Sequence, residues 1–99
     1  MGTAAAAVIV AREKHIVAAF RNAGALTADA AVVPATIGVS ERLAFRLLRQ
    51  HAVLRAAQPG YFYLDELSWQ ALRSMRKRLA LAWLLVILVV AVAFLTRSS

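Results

Sequence analysis

The chain has no cysteine, five acidic residues, four glycines, two prolines and two histidines in its 99 residues. Without cysteine there is no disulfide, no thiolate metal ligand and no thiol nucleophile. The glycines are scattered, so no glycine-rich loop can cradle a phosphate chain. His15 and His51 stand apart, with no carboxylate at ligand spacing for a metal. Asp65 and Glu66 are adjacent, which suits a helix cap rather than a catalytic pair. Nor is there a Ser/His/Asp arrangement for nucleophilic catalysis. These absences predict a protein that is not an enzyme and takes no cofactor and no metal. The length allows one small domain at most.

Apolar residues are abundant, at 62% of the chain against a usual 45–50% or so. The excess is concentrated in "LALAWLLVILVVAVAFL", Leu79 to Leu95, where 17 consecutive residues carry no charge, glycine or proline. As a helix that run is about 25 Å long, slightly short of a hydrocarbon core of about 30 Å. Thr96 extends it, and Lys77, Arg78 and Arg97 can snorkel outward. A helix apolar on every side needs more cover than so small a domain can offer. A single transmembrane helix over 79–96 is therefore expected, with membrane lipid as its surroundings. Trp83 would lie about 7 Å inside the span, as interfacial aromatics do. Arg73, Arg76, Lys77 and Arg78 precede the run and only Arg97 follows it. The positive-inside rule then keeps residues 1–78 in the cytoplasm and sends the short tail 97–99 outward. "MGTAAAAVIVARE" lacks the basic start of a signal peptide. The expected class is a tail-anchored, single-pass protein of the cell membrane.

Ahead of the span, Ile9, Ile16, Val17 and Phe20 recur at helical spacing, with Thr3 as a cap and Asn22 and Gly24 as a stop. Residues 1–11 read as an Ala-rich helical extension and 12–68 as the cytosolic domain. A turn or short helix is expected at 28–31 and a brief helix from Pro34, ended by Gly38. Ser40 and Glu41 open a basic helix over 40–50. "AVLRA" and "YFYLD" are short strands joined by "AQPG", whose Pro-Gly pair suits a type II turn. Asp65 caps a last helix that passes through a basic juxtamembrane stretch, 69–78, into the span. Trp69, Leu72 and Leu79 form an apolar stripe on it. The fold class is mainly α with a small β-hairpin, followed by one long helix.

The stretch "VVPATIGVSERLAFRLLRQHAVLRAAQPGYFYLDE" resembles the winged helix-turn-helix superfamily. Val33, Ile37, Val39, Ala44 and Leu47 occupy that motif's apolar places, Gly38 its turn glycine, and "QPG" the tip of a wing. Pro34 departs from the pattern, so the second helix must be short or irregular. The resemblance covers roughly residues 12–68 and implies a winged-helix-like domain.

On a helical wheel Arg42, Arg46 and Arg49 fall within about 60° of one another, opposite Leu43, Ala44, Leu47, Leu48 and His51. The resemblance implies that this arginine face enters the DNA major groove, with Arg55 and Gln58 at the flanking backbone. Charge argues for restraint. Residues 1–78 hold eleven basic and five acidic side chains, but the four juxtamembrane cations serve topology, which leaves seven against five. The same arginines also fit a solvated face, a protein subunit or anionic headgroups. DNA, a protein partner and lipid are thus the three readings of the basic helix.

Overall fold

A computed structural model of the chain describes residues 2–98, with side-chain surroundings from residue 4 onward. In chain order it contains helix α1 (Gly2–Asn22), 3-10 turns at Ala28–Ala30 and Pro34–Ile37, helix α2 (Leu43–Gln50), strands β1 (Leu54–Gln58) and β2 (Tyr61–Leu64), and helix α3 (Glu66–Ser98). The chain divides into two units, Met1–Trp69 and Gln70–Ser99.

In the first unit α1 buries Glu13, Ile16, Val17 and Phe20, the i, i+3, i+4, i+7 stripe of a helix laid on a core. It is already helical at Gly2, so Thr3 lies inside the first turn; the capping role expected of its side chain falls outside the described residues. At its other end the Ala25 N–H donates to the Phe20 carbonyl (3.0 Å) and the Gly24 N–H to that of Arg21 (3.0 Å). This closure turns the chain and buries Ala25.

The 3-10 turn at Pro34–Ile37 starts on proline, whose missing N–H goes unneeded at the first position. Gly38 stops it at φ 75°, a left-handed conformation that costs glycine nothing. The basic helix begins later than its sequence suggests. The Arg42 N–H donates to the Ser40 carbonyl (2.9 Å), and that three-residue turn prevents α-helix from starting at Ser40. Arg42, in extended conformation, is the N-cap, without a capping side-chain bond, and α2 starts at Leu43 rather than at residue 40.

The inward face of α2 also differs from the wheel. Ala44, Phe45 and Leu48 are buried, Leu47 is half-buried, and Leu43 and His51 are exposed. The hairpin is the reason. Phe62 of β2 meets Phe45 edge-to-face, with ring centroids 5.2 Å apart, and draws the buried stripe round toward Phe45. His51 instead donates from Nδ1 to the Leu47 carbonyl at 2.8 Å. Past it Ala52 takes the left-handed conformation at φ 60°, and Val53 N–H closes onto the Leu48 carbonyl (2.9 Å).

β1 and β2 pair antiparallel, Leu54 opposite Leu64, Arg55 opposite Tyr63 and Ala56 opposite Phe62. The register slips between Ala56 and Gln58, so that Gln58 faces Tyr61 across Pro59-Gly60. Gly60 has φ 84°, as the third position of a type II turn requires. Two reciprocal hydrogen bonds join Phe62 to Val32, at 2.8 and 2.9 Å, adding a bridge to the hairpin's free edge. Leu64 N–H to the Ala25 carbonyl (2.7 Å) and Asp65 N–H to that of Val53 (2.8 Å) fasten the strand's end. The core of this unit includes Ile16, Val17, Phe20, Ala25, Val39, Ala44, Phe45, Leu48, Val53, Leu54, Phe62, Leu64 and Trp69.

Asp65 caps α3 as its sequence predicts. Its Oδ1 accepts from the N–H groups of Leu67 (3.2 Å) and Ser68 (3.4 Å), and its Oδ2 from the Ser68 hydroxyl (3.0 Å). α3 then runs 33 residues without interruption. Leu72 is buried, whereas Leu79 is 53% exposed, so the apolar stripe ends where the uncharged run starts. Among the described residues α3 is the one helix long and apolar enough to cross a membrane, and none of its apolar window is buried.

Candidate functional site

The basic surface is built on α2 and the hairpin behind it. Arg46 and Arg49 stand three residues apart on the exposed side of α2, and Arg42 is exposed at its N-cap. Neither Arg42 nor Arg46 has an acidic partner among the described residues. Arg49 is held differently, with its guanidinium carbon 4.8 Å from the centre of the Phe62 ring. A guanidinium over a ring gains a cation–π attraction and retains N–H groups for an anion.

Arg55, expected beside these residues, is engaged elsewhere. Its Nη2 lies 2.7 Å from Asp65 Oδ2, its Nε donates to the Ala52 carbonyl (3.1 Å), and Nη2 also reaches Ser68 Oγ (3.4 Å). It braces the hairpin against the cap of α3. Gln58 is exposed at the end of β1, beside the Pro59-Gly60 turn.

Pairing redistributes the charge. Glu66 takes Arg21 in a two-point bridge, Nη2 to Oε1 at 2.6 Å and Nε to Oε2 at 3.1 Å. That contact raises the Arg21 pKa above its ordinary value, chiefly through the hydrogen bond to Glu66. Asp65 takes Arg55. Burial pushes the Asp65 carboxyl upward, but the Ser68 hydroxyl and N–H, the Arg55 charge and the Leu67 N–H together hold it below the usual carboxylate range. Glu13 is fully buried and partnered. Three of the acids in the first unit are thus engaged within the chain, while Arg12, Lys14, Arg42, Arg46 and Arg49 face outward with no acidic partner among the described residues. Each of the two ion pairs removes one base and one acid, so the net count is unchanged and the unpaired positive charge sits at these five positions.

Two features of the site go beyond the sequence reading. Glu13 shares the spacing of Ile16, Val17 and Phe20, so its burial is written in the helical period even though its charge argues against it. The stacking of Arg49 on Phe62 has no local signal.

In the second unit, Arg73, Lys77 and Arg78 are exposed and Arg76 is half-buried, in the turns before the uncharged run. Trp83 is exposed within the run, and Arg97 is exposed beyond it. The Thr96 hydroxyl donates to the Val92 and Ala93 carbonyls, both at 3.0 Å, so it needs no water. Comparison of the chain with protein-family models, curated proteins and solved structures found no match.

Proposed function

We propose that α3 anchors the chain in the cell membrane and that residues 1–78 form a cytoplasmic winged-helix-like module that binds duplex DNA through the arginines of α2. The order of helix, short proline-led turn, left-handed glycine, basic helix and hairpin supports the winged-helix resemblance. The juxtamembrane excess of Arg73, Arg76, Lys77 and Arg78 over Arg97 supports the orientation.

The observation that carries DNA binding is the division of labour on α2. Ala44, Phe45 and Leu48 are committed to the core, whereas Arg46 and Arg49 are exposed together, with Arg42 exposed at the helix N-cap. In this reading Arg46 and Arg42 clamp phosphates, and Arg49, oriented by Phe62, reads a guanine edge or a phosphate. Gln58 at the wing tip contacts the flanking backbone. Arg55 acts from behind, holding the wing to α3 through Asp65.

The test is duplex binding by the full chain in phosphatidylcholine nanodiscs at two salt concentrations, with the Arg42→Ala/Arg46→Ala/Arg49→Ala variant beside it. Affinity should fall steeply with salt, and the variant's log–log slope should be smaller by about 2–3. Binding that ignores salt, or ignores these arginines, defeats the reading.

A further inference from the structure

A second surface of the module adjoins the arginine face, shares Arg42 with it and is otherwise built from different residues. Between α1 and the segment that leads into α2 runs a cleft of about 420 Å³, open to solvent. Its floor is apolar and buried, made by Ile16, Val39, Ala44 and Phe45. Val8, 52% exposed, and Ala11 continue the apolar wall toward the start of α1. The rim is polar and basic, with Arg12, His15, Ser40 and Arg42 exposed. No acidic residue lines it, and neither Arg12 nor Arg42 has an acidic partner among the described residues. Glu41, the nearest acid along the chain, lines a separate recess with Pro34 and Gly60.

We infer that this cleft receives the apolar face of an acidic amphipathic helix from a protein partner. Three properties select that occupant. The wall supplied by α1 is a straight helical stripe, Val8, Ala11, Arg12, His15 and Ile16, spaced i, i+3, i+4, i+7, i+8. It spans about 12 Å, the length over which a docked helix places its own anchors two turns apart. The floor desolvates apolar anchors, and the open side leaves room for a helix's polar back. The cationic rim selects glutamates or aspartates flanking those anchors. The exposed run Ala4–Ala7 extends the wall past the core, so a partner helix longer than the cleft still lies along α1. The inference is separable from DNA binding: Arg42 belongs to both surfaces, but Val8 and Arg12 are on α1 and have no part in the face assigned to DNA.

The test uses the full chain in phosphatidylcholine nanodiscs. The probe is a labelled peptide of about four helical turns, with leucines at i, i+4 and i+7 flanked by glutamates, followed by fluorescence anisotropy. Saturable binding above that of empty discs is expected. Val8→Glu and Arg12→Glu, both substitutions at exposed positions that leave the core untouched, should each weaken it about tenfold. The same peptide with lysines for glutamates should prefer the Arg12→Glu chain to the parent, a charge swap that misfolding cannot imitate. Duplex DNA affinity should be unchanged by Val8→Glu. Binding no greater than to empty discs, or indifferent to both substitutions, overturns the inference. So does a lysine peptide that binds the parent as well as the glutamate one. Dimerisation of the chain abolished by Val8→Glu assigns the cleft to a second copy instead, and DNA affinity lost in that variant assigns it to DNA.

Discussion

The guanidinium of Arg49 lies over the ring of Phe62, 4.8 Å from its centre, and so joins the exposed face of α2 to the hairpin. The ring is shared, because Phe45 meets it edge-on from the core. Phe62 therefore sets the position of an arginine on the surface and the packing of the helix beneath it. Arg49→Lys keeps the charge and removes the guanidinium from the ring. It should lower stability by about 0.5–1 kcal/mol, read by thermal denaturation. It should also weaken duplex binding more than Arg46→Lys does, because Arg46 has no ring to lose.

Ala52 occupies a left-handed conformation that disfavours any side chain. It is there because α2 ends in a closure whose hydrogen bonds, Ala52 N–H to the Arg49 carbonyl and Val53 N–H to that of Leu48, require it. Ala52→Gly should stabilise the first unit by about 0.5–1 kcal/mol. A melting temperature unchanged or lowered by that substitution would contradict the stated strain.

Asp65 caps α3 and pairs with Arg55, and its carboxyl titrates below the usual range. A depressed folded-state pKa means that the stability it supplies is full at neutral pH and is lost as pH falls through that lowered value. Asp65→Ala should cost about 1–2 kcal/mol near pH 7. The difference between parent and variant should shrink as the pH drops through the acid range. Denaturant midpoints measured at several pH values check both the sign and the window.

Ile87 is the central residue of the uncharged run Leu79–Leu95. If the run spans a bilayer, Ile87→Arg should cost about 2.5–3.5 kcal/mol of insertion. The variant chain should then appear in the alkaline-extractable fraction while the parent stays with the membrane.

Orientation is separately testable because the chain has no cysteine of its own. In intact cells a membrane-impermeant maleimide should label a Ser98→Cys chain and leave a Ser74→Cys chain unlabelled. The reverse pattern places the module on the far side.

Features set by neighbouring residues were legible in the sequence. Asp65 caps α3, Pro34 and Gly38 bound a single 3-10 turn, Pro59 and Gly60 turn the hairpin, and α3 runs unbroken because nothing between Glu66 and Ser98 interrupts it. Each depends on backbone preferences and short-range hydrogen bonds, which act over a few residues. The exposure of Arg46 and Arg49 belongs to this class, since the helical period alone separates them from Leu48. The tertiary structure decided the rest. It buried Phe45 in place of Leu43, bridged Val32 to Phe62, drew Arg55 to Asp65 and laid Arg49 on Phe62. Phe62 is the common element in three of these, and it lies 13 or more residues from Arg49, Phe45 and Val32 along the chain. A ring brought that far by the packing of the hairpin leaves no trace in local periodicity, so the contact that holds Arg49 is a property of the folded core.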